Sequence, residues 1–158
     1  MKAKLVKIRM APLVVACALV TMVAATATAQ GGTLQGTWNM RISLTDCAGH
    51  VIRSFPSLIE FAAGGTVVES NGGTPQALKT PGEGVWRQTT DNNYAFRFKF
   101  FTFDPQNIFT GWTIIAGTTT VNPTAHTNAG SATVKVYNTS GVLLVSLCAS
   151  TAGTRFKL

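Results

Sequence analysis

The chain has 158 residues, with 13 Lys and Arg against 6 Asp and Glu, a formal net charge of +7. Four of the bases, Lys2, Lys4, Lys7 and Arg9, fall in the leader, so beyond residue 29 nine scattered bases face six acids. That scatter excludes the concentrated basic footprint of a nucleic-acid binder and leaves no patch to hold an anionic membrane.

The basic start is followed by the apolar run "APLVVACALVTMVAA" and by an A-x-A site, Ala27-Thr28-Ala29. That order reads as a cleavable signal peptide over residues 1–29, with Gln30 as the first mature residue. The expected location is periplasmic or extracellular. A retained anchor is the alternative, but the run of about 15 apolar or small residues falls short of the ~20 of a bilayer span. "VVAC" loosely resembles a lipoprotein box ahead of a lipidated Cys17. The apolar run continues past that cysteine, and a cleavage site follows, so cleavage is the better reading.

Residues 30–158 are enough for one domain with its own core. Two cysteines remain there, Cys47 and Cys148, and an even number in an exported chain suggests one disulfide. Two free thiols are the alternative. A metal site on them is not expected, because there is no C-x-x-C spacing and only His50 and His126 could assist.

From here short β-branched and aromatic runs alternate with Gly, Asn, Asp and Pro, the pattern of an all-β fold. "GTWNMRISLTD" puts Trp38, Met40, Ile42 and Leu44 on one face. "VIRSFPSLIEFAA" is a second strand, expected to break or bulge at Pro56, which donates nothing to a ladder. Gly64-Gly65 turn the chain into "TVVES". The longest loop spans 71–84, and "VWRQT" resumes as a fourth strand. "NYAFRFKFFTFD" aligns Tyr94, Phe96, Phe98 and Phe100, while Phe101 and Phe103 fall on the other parity. A bulge near Phe100–Phe101 would return them to the interior; without one they form an exposed aromatic patch. "IFTGWTIIAGTTTV", "SATVKVY" and, after a tight "NTSG" turn, "VLLVSLCASTAGTRF" complete eight strands. That turn also explains the sequon Asn138-Thr139-Ser140 without glycosylation. A meander of eight strands closes most simply into an antiparallel up-and-down barrel, which removes both exposed edges.

Closure makes the first and last strands antiparallel neighbours. Pairing Trp38 with Arg155 then brings Cys47 to within one diagonal step of Cys148, an offset that a bulge or a turn position for Cys47 absorbs. "GTW" at the head of the first strand, with the lone arginine of "GTRF" near the end of the last, resembles the calycin (lipocalin- or avidin-type) barrel. The resemblance covers about residues 34–158, by pattern rather than by identity. It implies that Trp38 plugs the closed end and that Arg155 lies over it as a cation–π partner. The pattern departs from lipocalins in lacking a C-terminal helix after Arg155, and "TTDNNY" does not reproduce their T-D-Y element. The biotin contacts of avidins do not map onto it either.

No nucleophile elbow, zinc-protease motif, P-loop or dinucleotide fingerprint is present, and no cofactor is implied. Glu60 and Glu69 could face each other across the second and third strands, but the simpler expectation is that both point outward. His50 and His126 read as solvated loop residues. Phe61, Trp86, Tyr94, Phe96, Phe98, Phe100 and Trp112 are the candidate lumen residues, able either to fill the interior or to line a pocket. Three functions follow. The first is an exported barrel that binds a small hydrophobic or aromatic ligand without chemistry. The second is a structural or interaction barrel with a filled core, associating with itself or a partner through Phe101, Phe103, Val142 and Leu144. The third is a shape-steering enzyme of the dirigent or allene-oxide-cyclase type, which requires a buried ionisable group in the lumen.

Overall fold

The computed structural model describes residues 33–158; the leader, its cleavage site and Cys17 lie outside the described residues. Eight strands follow one another: β1 (Gly36–Thr45), β2 (Val51–Phe61), β3 (Thr66–Asn71), β4 (Gly82–Thr90), β5 (Asn93–Phe103), β6 (Phe109–Val121), β7 (Thr127–Asn138) and β8 (Leu143–Arg155). Each pairs antiparallel with its sequence neighbour, and β1 pairs with β8, so the sheet is a closed barrel. This eight-stranded antiparallel closure fits a calycin-like fold.

The seam between β1 and β8 runs from Trp38 opposite Arg155 to Thr45 opposite Cys148. Cys47 lies two residues beyond Thr45, in the β1–β2 turn with φ 66°. From there it reaches Cys148 in a disulfide with Cα atoms 4.9 Å apart. A turn position for Cys47 thus takes up the offset between the two pairings.

Alternation sends Trp38, Met40, Ile42 and Leu44 of β1 and Tyr94, Phe96, Phe98 and Phe100 of β5 into the interior, because side chains two apart share one face. The end where β1 begins is packed solid. Leu34, Trp38, Phe61, Val67 and Val121 are its fully buried side chains. Trp38 donates its indole N–H to the Leu34 carbonyl at 2.8 Å, and the Arg155 guanidinium lies 4.3 Å from the Trp38 ring centroid. Three main-chain carbonyls accept hydrogen bonds from that guanidinium: Ala125 at 2.8 Å, Gln35 at 2.6 Å and Thr33 at 2.6 Å. Gly36 is needed for this approach. Its φ is +117°, and a Cβ there would lie 2.7 Å from Arg155 Nη1, so the glycine of G-x-W makes room for the arginine.

Two local expectations are corrected, and one open alternative is decided. β2 has no break at Pro56: its register with β1 is continuous from Phe61 to Arg53, and the shift comes between Leu44 and Thr45. The Pro56 carbonyl accepts from Gly72 N–H at 2.9 Å, so its nitrogen faces the same side, beyond the end of β3, where no ladder bond is lost. Of the two alternatives for Phe101 and Phe103, the one without a bulge near Phe100–Phe101 holds. β5 and β6 stay in register to Thr102 opposite Gly111, and the extra residue is Thr110 on β6, beside Gly111 at φ +140°. Phe101 therefore remains outside, 43% exposed, packed at 5.9 Å against Phe109, which also meets Phe103 at 6.1 Å. The second correction concerns the long loop. β4 begins at Gly82 rather than Val85, and the loop holds a short 3-10 turn, Gln76–Leu78. After it, Lys79 bridges to Thr102 and Thr80 N–H donates to the Phe101 carbonyl at 3.0 Å. The pairing of β4 with β5 ends at Glu83 opposite Lys99, so residues 79–80 take over as the partner of the last part of β5.

Candidate functional site

A cavity of about 240 Å³ occupies the half of the barrel away from Trp38. Its origin lies in the sizes of neighbouring side chains. Phe96, Phe98 and Phe100 form one wall. On the adjoining strands Gly117, Ala132 and Ala149 stand in register with Phe96, and their small or absent side chains leave the lumen unfilled. Ile42, Leu44, Ile59, Ile115, Val134, Val136 and Leu147 supply the aliphatic lining, while Arg53, Phe55 and Thr74 stand at the mouth. The lining also includes Thr151, whose buried hydroxyl has no hydrogen-bond partner.

One wall is polar. Glu69 points inward from β3 and is 3% exposed. Its Oε1 accepts from Ser57 Oγ at 3.1 Å and from the Asn71 amide. Its Oε2 accepts from Lys79 Nζ at 3.3 Å. Lys79, 4% exposed, also donates to the Thr80 carbonyl at 3.4 Å and sits 4.7 Å from the centroid of Phe100. Gly82 opens the space for this cluster: a Cβ there would lie 3.0 Å from Glu69 Oε2 and 2.7 Å from the Phe98 ring. A buried ion pair of this kind contributes little net stability beside an apolar replacement, yet losing one partner strands a charge in a low-dielectric site.

The sequence-derived lumen residues divide into groups. Phe96, Phe98 and Phe100 line the cavity. Phe61, 2% exposed, packs beneath it, edge-on to Trp86 at 5.9 Å and to Phe96 at 6.2 Å. Trp86 donates to the Ala62 carbonyl at 3.0 Å and leans on Tyr94 at 5.8 Å; these two border a shallow polar depression at the closed end instead. Trp112 is not a lumen residue. The alternation of β6 turns Gly111, Thr113 and Ile115 inward, and Trp112 stacks on Tyr137 outside the barrel at 5.8 Å, with Lys99 Nζ 4.4 Å from its ring.

Glu60 is exposed and points outward as expected, but Glu69 does not. The two cannot face each other, because the register sets Glu60 opposite Val68 and Glu69 opposite Ile59. His126 is exposed. His50 Nδ1 contacts Asp46 Oδ2 at 2.8 Å on the surface, and this hydrogen bond is the main cause that lowers the Asp46 carboxyl below its ordinary 3.8. Sequence reasoning missed Lys79 and the inward aim of Glu69. "TVVES" carries valine on both faces, so its polarity gives no inward side, and Lys79 belongs to an irregular loop with no periodicity to read. Compared with models of known protein families and with curated proteins, the chain matches none.

Proposed function

We propose that this protein is an exported, lipocalin-like carrier or binder of one small apolar or aromatic molecule, acting without chemistry, with the ligand held at the open end of the barrel. The observation that supports the reading is the cavity of about 240 Å³ among Phe96, Phe98, Phe100, Ala132 and Ala149. It exceeds the ~150 Å³ dry cavity that accepts benzene and approaches the ~300 Å³ at which ligand pockets begin, a size suited to one or two rings. The Cys47–Cys148 disulfide supports export, since such bonds persist in oxidising compartments.

Titration with naphthalene, followed by fluorescence, is expected to give one site per barrel. Ala132→Phe directs a ring into the void and is expected to abolish that binding while the β-sheet circular dichroism persists. Unchanged binding in this variant puts the probe elsewhere and removes the reading.

A second reading, self-association, is favoured by a separate observation. Val142, Leu143, Leu144 and Val145 form an exposed apolar run in and after the β7–β8 turn, 42–59% accessible, and Phe101 and Phe109 add a second outer patch. Light scattering across a concentration series tests it, and a strict monomer removes it.

A further inference from the structure

Resting on the cavity reading above, we propose that the ligand carries a neutral hydrogen-bond donor, an alcohol or phenol hydroxyl, and that Glu69 Oε2 receives it. An ionised carboxylate offers about four acceptor positions. Glu69 has three hydrogen bonds: Ser57 and Asn71 on Oε1, and Lys79 alone on Oε2. One position on Oε2 is therefore unfilled, on a side chain that lines the cavity.

The charge at this wall is already balanced, and that selects the ligand. Lys79 is enclosed, its side chain 0% exposed. Its Nζ donates to Glu69 and to the Thr80 carbonyl and lies 4.7 Å from the centroid of Phe100, and Lys79 itself does not line the cavity, so it is not placed to receive an anion. A carboxylate ligand would bring a second negative charge beside Glu69 into an apolar enclosure. An ammonium would leave the enclosure with a net positive charge. Both carry the burial penalty of an unpaired ion, whereas a hydroxyl gains a charge-assisted hydrogen bond. Arg53 at the mouth does not reverse this selection. It is solvent-exposed, donates to the Gly73 carbonyl at 2.5 Å and lies 5.3 Å from the Phe55 ring, and an ion pair made there is screened by water.

The test uses three probes of one size at pH 7: naphthalene, 2-naphthol and 2-naphthoate. 2-Naphthol is expected to bind about tenfold more tightly than either of the others, the factor that one hydrogen bond to a charged group supplies. Replacing the pair together, Glu69→Leu with Lys79→Met, removes the acceptor without stranding a charge. In that variant 2-naphthol is expected to fall to the affinity of naphthalene. Naphthalene binding as tightly as 2-naphthol in the unaltered protein overturns the hydroxyl inference and leaves the cavity reading intact. 2-Naphthoate matching 2-naphthol, or a 2-naphthol preference that survives in the double variant, also overturns it. Failure of all three probes to bind removes the cavity reading itself, and the inference with it.

Discussion

Each end of the barrel seats a cation on an aromatic ring, Arg155 at 4.3 Å from Trp38 and Lys79 at 4.7 Å from Phe100, yet the two ends meet its charge differently. At the closed end three main-chain carbonyls receive the guanidinium. No carboxylate is needed, because a delocalised planar cation tolerates partial desolvation and matches fixed acceptors. At the open end the compact ammonium is enclosed completely and is matched by the Glu69 carboxylate, itself held by Ser57 and Asn71. One arrangement ties three segments of chain into a plug. The other places a charge-balanced polar wall beside a void. The same pairing of cation and ring thus serves closure at one end and, on our reading, ligand selection at the other.

The contrast is sharpest in the response to truncation. Lys79→Met strands Glu69 in the interior and is expected to lower stability by about 3–5 kcal/mol, whereas Lys79→Met combined with Glu69→Leu is expected to recover most of that loss. Urea midpoints for the two single variants and the double variant measure the coupling. Near-additive losses would show that the two side chains do not act as a pair. Arg155→Ala leaves no charge behind. It uncovers Trp38 and frees carbonyls that lie close to solvent, so a smaller loss of about 2 kcal/mol is expected by the same measurement. A loss at Arg155 larger than at Lys79 would reverse the comparison.

The smallest expected effect is one of pH, at the rim of the open end. Asp46 has its pKa lowered mainly by the His50 side chain, against desolvation and with help from the backbone N–H groups of Ala48 and His50. A depressed carboxyl adds stability that is present above its ordinary 3.8 and is lost as pH falls through the lower folded value. Amide shifts of residues 46–50 are therefore expected to change in a titration from pH 5 to pH 2, and to stay flat in Asp46→Asn. The contacts of the plug itself join an arginine, an indole N–H and carbonyls, and are expected to hold across that range.

The closed end was legible in the sequence because its two central side chains obey strand alternation, although the carbonyls that receive them, on Thr33, Leu34, Gln35 and Ala125, lie outside the strands. Trp38 and Arg155 sit in regular strands whose pairing follows from closure, and Tyr94 through Phe100 keep a single parity over seven residues. The open end obeys other rules. Lys79 enters the interior from a loop, in a stretch where Gly and Pro announce only irregularity. Glu69 sits in a strand with apolar residues on both faces, so burial depends on the register with β2 and not on its own pattern. Trp112 misled for a related reason: with Ile114 and Ile115 adjacent, both faces of β6 are apolar, and only pairing with β5 and β7 decides which is inside. The side taken by Phe101 stayed open in the sequence because the register shift that decides it sits beside Gly111, on the opposite strand from the aromatic run. The cavity depends on Gly117, Ala132 and Ala149 coming into register across three strands, a coincidence visible only after pairing.

Crystallography under xenon pressure tests most directly whether the open half of the barrel is a ligand-sized apolar void. The predicted result is density, from xenon or from a molecule carried through purification, among Phe96, Phe98, Ala132 and Ala149, and its disappearance in Ala132→Phe. Side-chain density filling that space, with no xenon inside the barrel, would contradict the account.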